Sequence, residues 1–289
     1  MSQDNFIMQI RLAYSQLTKA EKKVADFVLE DPQSVLFMSI TDLAAACKVG
    51  ETTVFRFCKS MKLQGYQQFR IQLSLGIQNE DKDKGQMQEI LNENVGMDDS
   101  FQVMVQKLLN SNVNVLMETN ALLESETVNT LLERMIAAER IFFFGVGASQ
   151  IMAMNAANKF LRISNKIYCY MDSHMQTMAA STLQKEDVAI VISYSGSTKD
   201  SVLFAKLAKN AGAYVAGITH FTRSPLTDYA DVVLLCGAKE GPLQGGSTTA
   251  VMSQMFLMEV LYIEFYRKTY EESYENNQKT SQSIIEKMY

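Results

Sequence analysis

Histidine and cysteine are scarce in this chain, and no apolar run approaches the length needed to cross a bilayer. The two histidines, His174 and His220, leave little material for a histidine-ligated metal or a proton relay. The four cysteines, Cys47, Cys58, Cys169 and Cys236, are scattered, with no pair at metal-ligand spacing. Each lies in or beside an apolar stretch, which predicts buried free thiols and no zinc site. The opening residues Met1-Ser-Gln-Asp-Asn5 are polar rather than a basic prelude to a secretory core. A soluble, cytoplasmic protein with no membrane partner is therefore expected.

A chain of 289 residues is long enough for one domain of ordinary size and a smaller one. The net charge of −5 argues by itself against nucleic acid, but it is unevenly spread. Residues 1–79 hold nine basic and seven acidic side chains, a net +2, which leaves −7 for the remainder. A positive head on an acidic body suits a protein of which only the head approaches DNA, because the phosphate term depends on local charge.

The head reads as helices with short breaks. Thr18 followed three residues later by Glu21 has capping-box spacing and opens a helix through Leu29, which Asp31-Pro32 ends. Ser39 to Gly50 predicts a short amphipathic helix closing at the glycine, with Thr41 as its cap. Glu51 to Met61 predicts a second helix after a tight turn, which is helix-turn-helix spacing. In that motif the second helix enters the major groove and would present Thr52, Thr53, Arg56 and Lys59 to DNA. Val54, Phe55 and Cys58 would face the core, with Phe57 undecided. A further helix from Gly65 lets Lys62 and Arg70 add backbone contacts. A plain helical bundle with a solvated basic face has the same pattern. Asn79 to Gly85 carries no apolar residue, so the head is expected over 1–78 and a linker over 79–100.

Helical spacing resumes from Phe101, and beyond Arg140 short apolar strands alternate with helices. Candidate strands are 141–144, 166–171, 188–192, 214–218 and 232–235. This alternation predicts a doubly wound, flavodoxin-like parallel sheet of five strands over 101–270, with a polar tail at 271–289 that frays. Two strands run into loops suited to an anion. Val188-Ala-Ile-Val-Ile192 leads into Ser193-Tyr-Ser-Gly-Ser-Thr198, where Ser193, Ser195, Ser197 and Thr198 offer hydroxyls, Gly196 lacks a Cβ, and Thr198 can begin a helix. Upstream, Ile141–Phe144 runs into Gly145-Val-Gly-Ala-Ser149, with Gly147 and Ser149 facing the same crevice. The third glycine of a dinucleotide fingerprint is missing from the first loop, and no Walker lysine follows either loop, which argues against nucleotide hydrolysis. An ordinary serine-rich turn with a helix cap is the bland alternative.

Taken in order, these segments resemble the RpiR family of bacterial transcription regulators, in which a helix-turn-helix head is joined to a sugar isomerase (SIS) domain that senses phosphorylated sugars. The resemblance spans nearly the whole chain. It is carried by Leu17-Thr-Lys-Ala-Glu21, Ser39-Ile-Thr-Asp-Leu-Ala44, Thr53-Val-Phe-Arg-Phe-Cys-Lys59, Gly65-Tyr-Gln-Gln-Phe-Arg70 and the two loops, with Asp172-Ser-His-Met-Gln176, Thr219, Ser224-Pro-Leu226 and Ala230-Asp231. It implies the SIS fold, double-stranded operator DNA as partner, a phosphorylated sugar as effector, no cofactor, and a homodimer or homotetramer. Phosphate would fall on Ser193, Ser195, Ser197 and Thr198, with Ser149 near the sugar. His174 would contact a sugar hydroxyl or make a local hydrogen bond, His220 reads as structural, and Ser247 would reach ligand from the last helix. Gly241 to Gly246 does not match the family pattern, which leaves ligand identity open. The competing function is an aldose–ketose isomerase with an accessory head, for which Glu240 and Glu259 are the late acidic candidates.

Overall fold

Helix α1 (Phe6–Ala13) opens the computed structural model, which describes residues 6–83, 95–238, 241–243, 247–285 and 287. The chain divides into two compact units, residues 1–111 with 239–247, and residues 112–238 with 248–289.

In the first unit, capping fixes the helix starts. Thr18 and Glu21 form the expected reciprocal box ahead of α2 (Lys19–Glu30), with Thr18 N–H donating to Glu21 Oε2 at 2.9 Å. Asp31 caps the single turn α3 (Pro32–Val35). Ser39, not Thr41, caps α4 (Ile40–Ala46), through its own box with Asp42. Such a cap contributes about 1 kcal/mol. Glycine does not close α4. Lys48 takes the left-handed conformation at φ +53°, with Val49 N–H donating to the Ala44 carbonyl, and Gly50 instead opens α5 (Glu51–Ser60). The same left-handed turn ends α5, where Lys62 has φ +60°. Helix α6 (Tyr66–Asp83) continues through the first five residues of the expected linker, whose stretch 84–94 lies outside the described residues. Val24, Leu43, Val54, Phe57 and Phe69 are fully buried between these helices, with Phe57 edge-on to Phe69 at 5.6 Å.

Helix α7 (Phe101–Ala121) contains the division between units. Then come α8 (Ser125–Ala137), β1 (Arg140–Phe144), α9 (Ala148–Leu161), β2 (Ile167–Cys169), α10 (Ser173–Ser181), β3 (Asp187–Ile192), α11 (Lys199–Asn210), β4 (Tyr214–Thr219), β5 (Val232–Leu235), α12 (Thr248–Lys268) and α13 (Tyr270–Ile285). The sheet is wholly parallel in the order β2-β1-β3-β4-β5, as the alternation predicts. Alternate residues bury into opposite faces. Ile141, Phe143, Ile190, Ile192 and Ile218 pack under α8, α9 and α12, while Phe142, Phe144, Val191 and Val215 pack under α10 and α11.

Two expectations are corrected here. β2 is shorter than 166–171, because the Gln150 amide takes the Tyr170 carbonyl at 3.2 Å and ends the ladder. The tail expected to fray forms helix α13 from Tyr270 to Ile285. Asn276 and Thr280 donate to the Ile163 and Arg162 carbonyls at 3.1 and 2.9 Å, occupying carbonyls just beyond the end of α9.

Candidate functional site

Pairing of Phe144 with Val191 and of Ile192 with Ile218 brings three loops to the carboxyl edge of β1, β3 and β4. β1 and β3 are the neighbours at which strand order reverses, the place where open α/β sheets bind ligands. Gly145-Val-Gly-Ala-Ser149 and Ser193–Thr198 leave these two adjacent strands.

The second loop is shaped by close backbone approach. Gly196 has φ +58°, and a Cβ there would lie 2.1 Å from Ser224 Oγ. Its carbonyl accepts from Leu226 N–H at 2.9 Å, which pins the loop to the segment after β4. Ser197 Oγ donates to the Ser195 carbonyl at 3.1 Å, while Ser195 Oγ accepts from Ser197 N–H at 3.3 Å. Ser193 is 2% exposed, and its Oγ has no hydrogen-bond partner. Ser224 Oγ is likewise buried and unpaired. Thr198 precedes α11 without capping it, so the amide donors of the first turn carry the partial positive charge of the helix end unopposed by a side-chain cap. Unpaired buried hydroxyls and an uncapped helix start together suit an anion that accepts several hydrogen bonds at once.

The first loop is held by a distant residue. Gly145 would place a Cβ 2.5 Å from the Ser149 carbonyl, and Gly147 has φ +62° at the start of α9. Gln176 accepts from Gly145 N–H and donates to its carbonyl, both at 3.1 Å, and donates to Gln150 Oε1 at 2.6 Å. Gln176 lies 31 residues from Gly145, so no local spacing marks it for this role. Ser149, Ser195 and Ser197 are half-buried, Gly147 and Thr198 exposed. His174 is exposed in the first turn of α10. His220 stacks on Tyr194 at 5.2 Å, with its Nδ1 2.8 Å from the Cys236 carbonyl. Tyr194 Oη donates to the Ala238 carbonyl at 2.5 Å. Ser247 immediately precedes α12 and is grouped with the first unit.

On the head, α5 sorts its residues differently from the sequence expectation. Thr52, Phe55, Arg56 and Lys59 are exposed, as is Lys62 beyond its end. Thr53, expected on the DNA-facing side, is instead buried at 8%, turned inward beside Val54. Phe57, not Phe55, enters the core, since Phe57 is fully buried and Phe55 is 41% exposed. Arg70 is also withdrawn from the basic surface. It is 4% exposed, and its Nε donates to the Leu36 carbonyl at 2.8 Å, a bond that satisfies the end of α3. Glu21 ties α2 to α5 by accepting from Ser60 Oγ at 2.8 Å. Its bond from the Thr18 hydroxyl holds its carboxyl below the usual pKa, with Arg56 helping.

Among the isomerase candidates, Glu259 pairs with Lys159 across α9 and α12, and Glu240 lies outside the described residues. All four cysteines are free thiols; burial pushes Cys58 and Cys236 up to about 12 and Cys47 to about 11. Among the described residues no group of three or more His, Cys, Asp or Glu converges on a metal position, and no helix is long and apolar enough to cross a membrane.

Comparison with known proteins agrees with this two-part layout. Residues 4–80 match the helix-turn-helix domain of the rpiR family, and residues 134–264 match the SIS domain. An uncharacterized HTH-type transcriptional regulator of Haemophilus influenzae is 35% identical over 98% of this chain and 97% of its own length. The HTH-type transcriptional regulator HexR of Pseudomonas aeruginosa is 34% identical over 74% of this chain and 73% of its own. Among solved structures, the Vibrio vulnificus NanR protein complexed with ManNAc-6P covers 99% of this chain and 100% of its own, at 29% identity and a TM-score of 0.83.

Proposed function

Because this chain belongs to the rpiR family of helix-turn-helix transcriptional regulators with a SIS domain, we propose that a phosphorylated sugar bound at the β1–β3 crevice sets its affinity for double-stranded operator DNA. The protein is a regulator and not an enzyme, as its relatives are named regulators. The isomerase reading is set aside.

The observation that carries the ligand assignment is the buried, unpaired Ser193 Oγ inside a loop that leads into an uncapped helix. Ser195, Gly196, Ser197 and Thr198 complete the phosphate cradle, and Gly147, Ser149 and His174 are assigned to the sugar. The complex of NanR with ManNAc-6P supports a phosphorylated amino sugar as the first class to test and genes of carbohydrate or amino-sugar metabolism as targets. Thr52, Arg56, Lys59 and Lys62 are the DNA-facing residues, and the exposed face of α5 supports that choice.

Control follows from linkage. A ligand shifts DNA affinity only by the difference in its own affinity for the DNA-competent and incompetent states, typically about 1–3 kcal/mol. The protein acts in the cytoplasm as a homodimer or homotetramer, so that two recognition helices meet half-sites about 34 Å apart.

The test is the melting temperature of the purified protein against phosphorylated sugars, each beside its unphosphorylated form and free phosphate. A ligand that binds the folded state raises the midpoint by mass action. A rise with one phosphorylated sugar, followed by a change in operator affinity with that sugar, is expected. Equal response to free phosphate alone, or none to any sugar phosphate, refutes the effector assignment.

A further inference from the structure

Phe55 is a large apolar side chain on the outer face of α5, in a stripe where every neighbour is polar. Thr52, Phe55, Arg56 and Lys59 are spaced by three, four and seven residues and are all exposed, while Val54, Phe57 and Cys58 on the opposite side are fully buried. The ring is held in place. Lys59 Nζ stands 5.2 Å from its centroid, a cation–π contact, and its Cε2 would lie 3.7 Å from a Cβ on Gly65. The phenyl group keeps 41% of its surface in water, whereas Phe57 two residues on is fully buried. The Phe55 ring presents an apolar contact beside the polar groups that would meet phosphates and base edges.

In the major groove, the apolar group that distinguishes one base from the others is the 5-methyl of thymine. We propose that Phe55 is a specificity-determining residue that reads a thymine methyl in the operator half-site, while the Lys59 ammonium above its ring fixes the ring and serves the adjacent phosphate. The inference rests on the reading of α5 as the recognition helix. It adds a preference for thymine to whatever hydrogen bonds the polar side chains of α5 make to base edges, since phosphate contacts position the protein without carrying sequence information.

The experiment uses the full-length protein and a duplex that it enriches from a randomised pool. Each thymine is replaced in turn by deoxyuridine, which keeps the hydrogen-bonding edge and removes only the methyl. Binding is expected to weaken at one position per half-site by about fourfold, the factor that corresponds to one buried methyl-sized group. Phe55→Ala should bind the thymine and uracil duplexes equally, with the salt dependence of binding unchanged. Phe55→Leu, which keeps an apolar contact, should retain part of the preference. If no thymine shows a loss, or if Phe55→Ala keeps the full preference, the assignment is overturned. Loss of oligomer in Phe55→Ala, with thymine preference absent in the parent protein, would place the ring in a subunit contact instead. Failure to enrich any duplex would overturn the DNA-binding reading itself, a result distinct from all of these.

Discussion

Gly196 and Ser224 are in such close contact that a methyl group on the glycine would sit 2.1 Å from the serine Oγ. The glycine is also left-handed, a conformation that costs other residues about 1–2 kcal/mol. Gly196→Ala is therefore expected to destabilise the second unit by at least about 2 kcal/mol, combining that strain with the displaced Ser224. It should also abolish the melting-temperature rise with sugar phosphate. Urea unfolding with and without ligand checks both.

Ser193→Ala should have opposite effects in the two states. In the free protein it removes a buried hydroxyl without a partner, so stability should hold or rise by up to about 1 kcal/mol. Affinity for a phosphorylated sugar should fall by about 1–3 kcal/mol, through loss of a charge-assisted hydrogen bond. Calorimetric titration beside a melting curve separates the two. Lower stability with unchanged affinity would remove Ser193 from the site.

Arg56 and Arg70 of the head should part company. Arg70→Met leaves the Leu36 carbonyl unsatisfied and should cost the head about 1–3 kcal/mol. Arg56→Ala, on the exposed face, should change the unfolding free energy by no more than about 0.5 kcal/mol. It should weaken operator binding and reduce the slope of log K against log salt by about one. Denaturation and fluorescence anisotropy at several salt concentrations give the comparison.

Lys62 occupies a left-handed helix end where glycine is favoured. Lys62→Gly should stabilise the head by about 1 kcal/mol, because the backbone strain of a side chain there is relieved. The same change should weaken operator binding if the ammonium meets a phosphate. A gain in both stability and affinity would contradict the DNA-facing assignment of Lys62.

Alkaline pH should destabilise each unit through its buried thiol. In an unfolded chain a thiol ionises near pH 8.5, as a round figure, whereas Cys58 in the head and Cys236 beside the sheet keep their protons up to about 12. Below the unfolded pKa both states hold the proton and the stabilisation is complete. As pH rises toward the folded pKa only the unfolded state loses protons, so stability falls by at most about 1.4 kcal/mol per pH unit for each thiol. Urea midpoints at pH 8 and pH 10 should show the fall, and Cys58→Ala or Cys236→Ala should flatten it for the unit concerned.

The sequence by itself determined the elements with local causes. Thr18 and Glu21 set a helix start across three residues, alternation of apolar strands and helices set a parallel sheet, and glycine with serine after Ile192 set a tight turn between β3 and α11. These signals are local because caps, periodicity and turn chemistry act over a few residues. Tertiary structure alone decided which side chains were available. Rotation of α5 about its axis buried Thr53 and exposed Phe55, and the end of α3, 34 residues away, drew Arg70 into the core. Gln176 took hold of Gly145 across 31 residues, and Asn276 and Thr280 made a helix of a polar tail by bonding carbonyls beyond α9. In each case an unsatisfied backbone group or the demand of the core for apolar surface chose the partner, and neither is set by the residues adjacent in sequence.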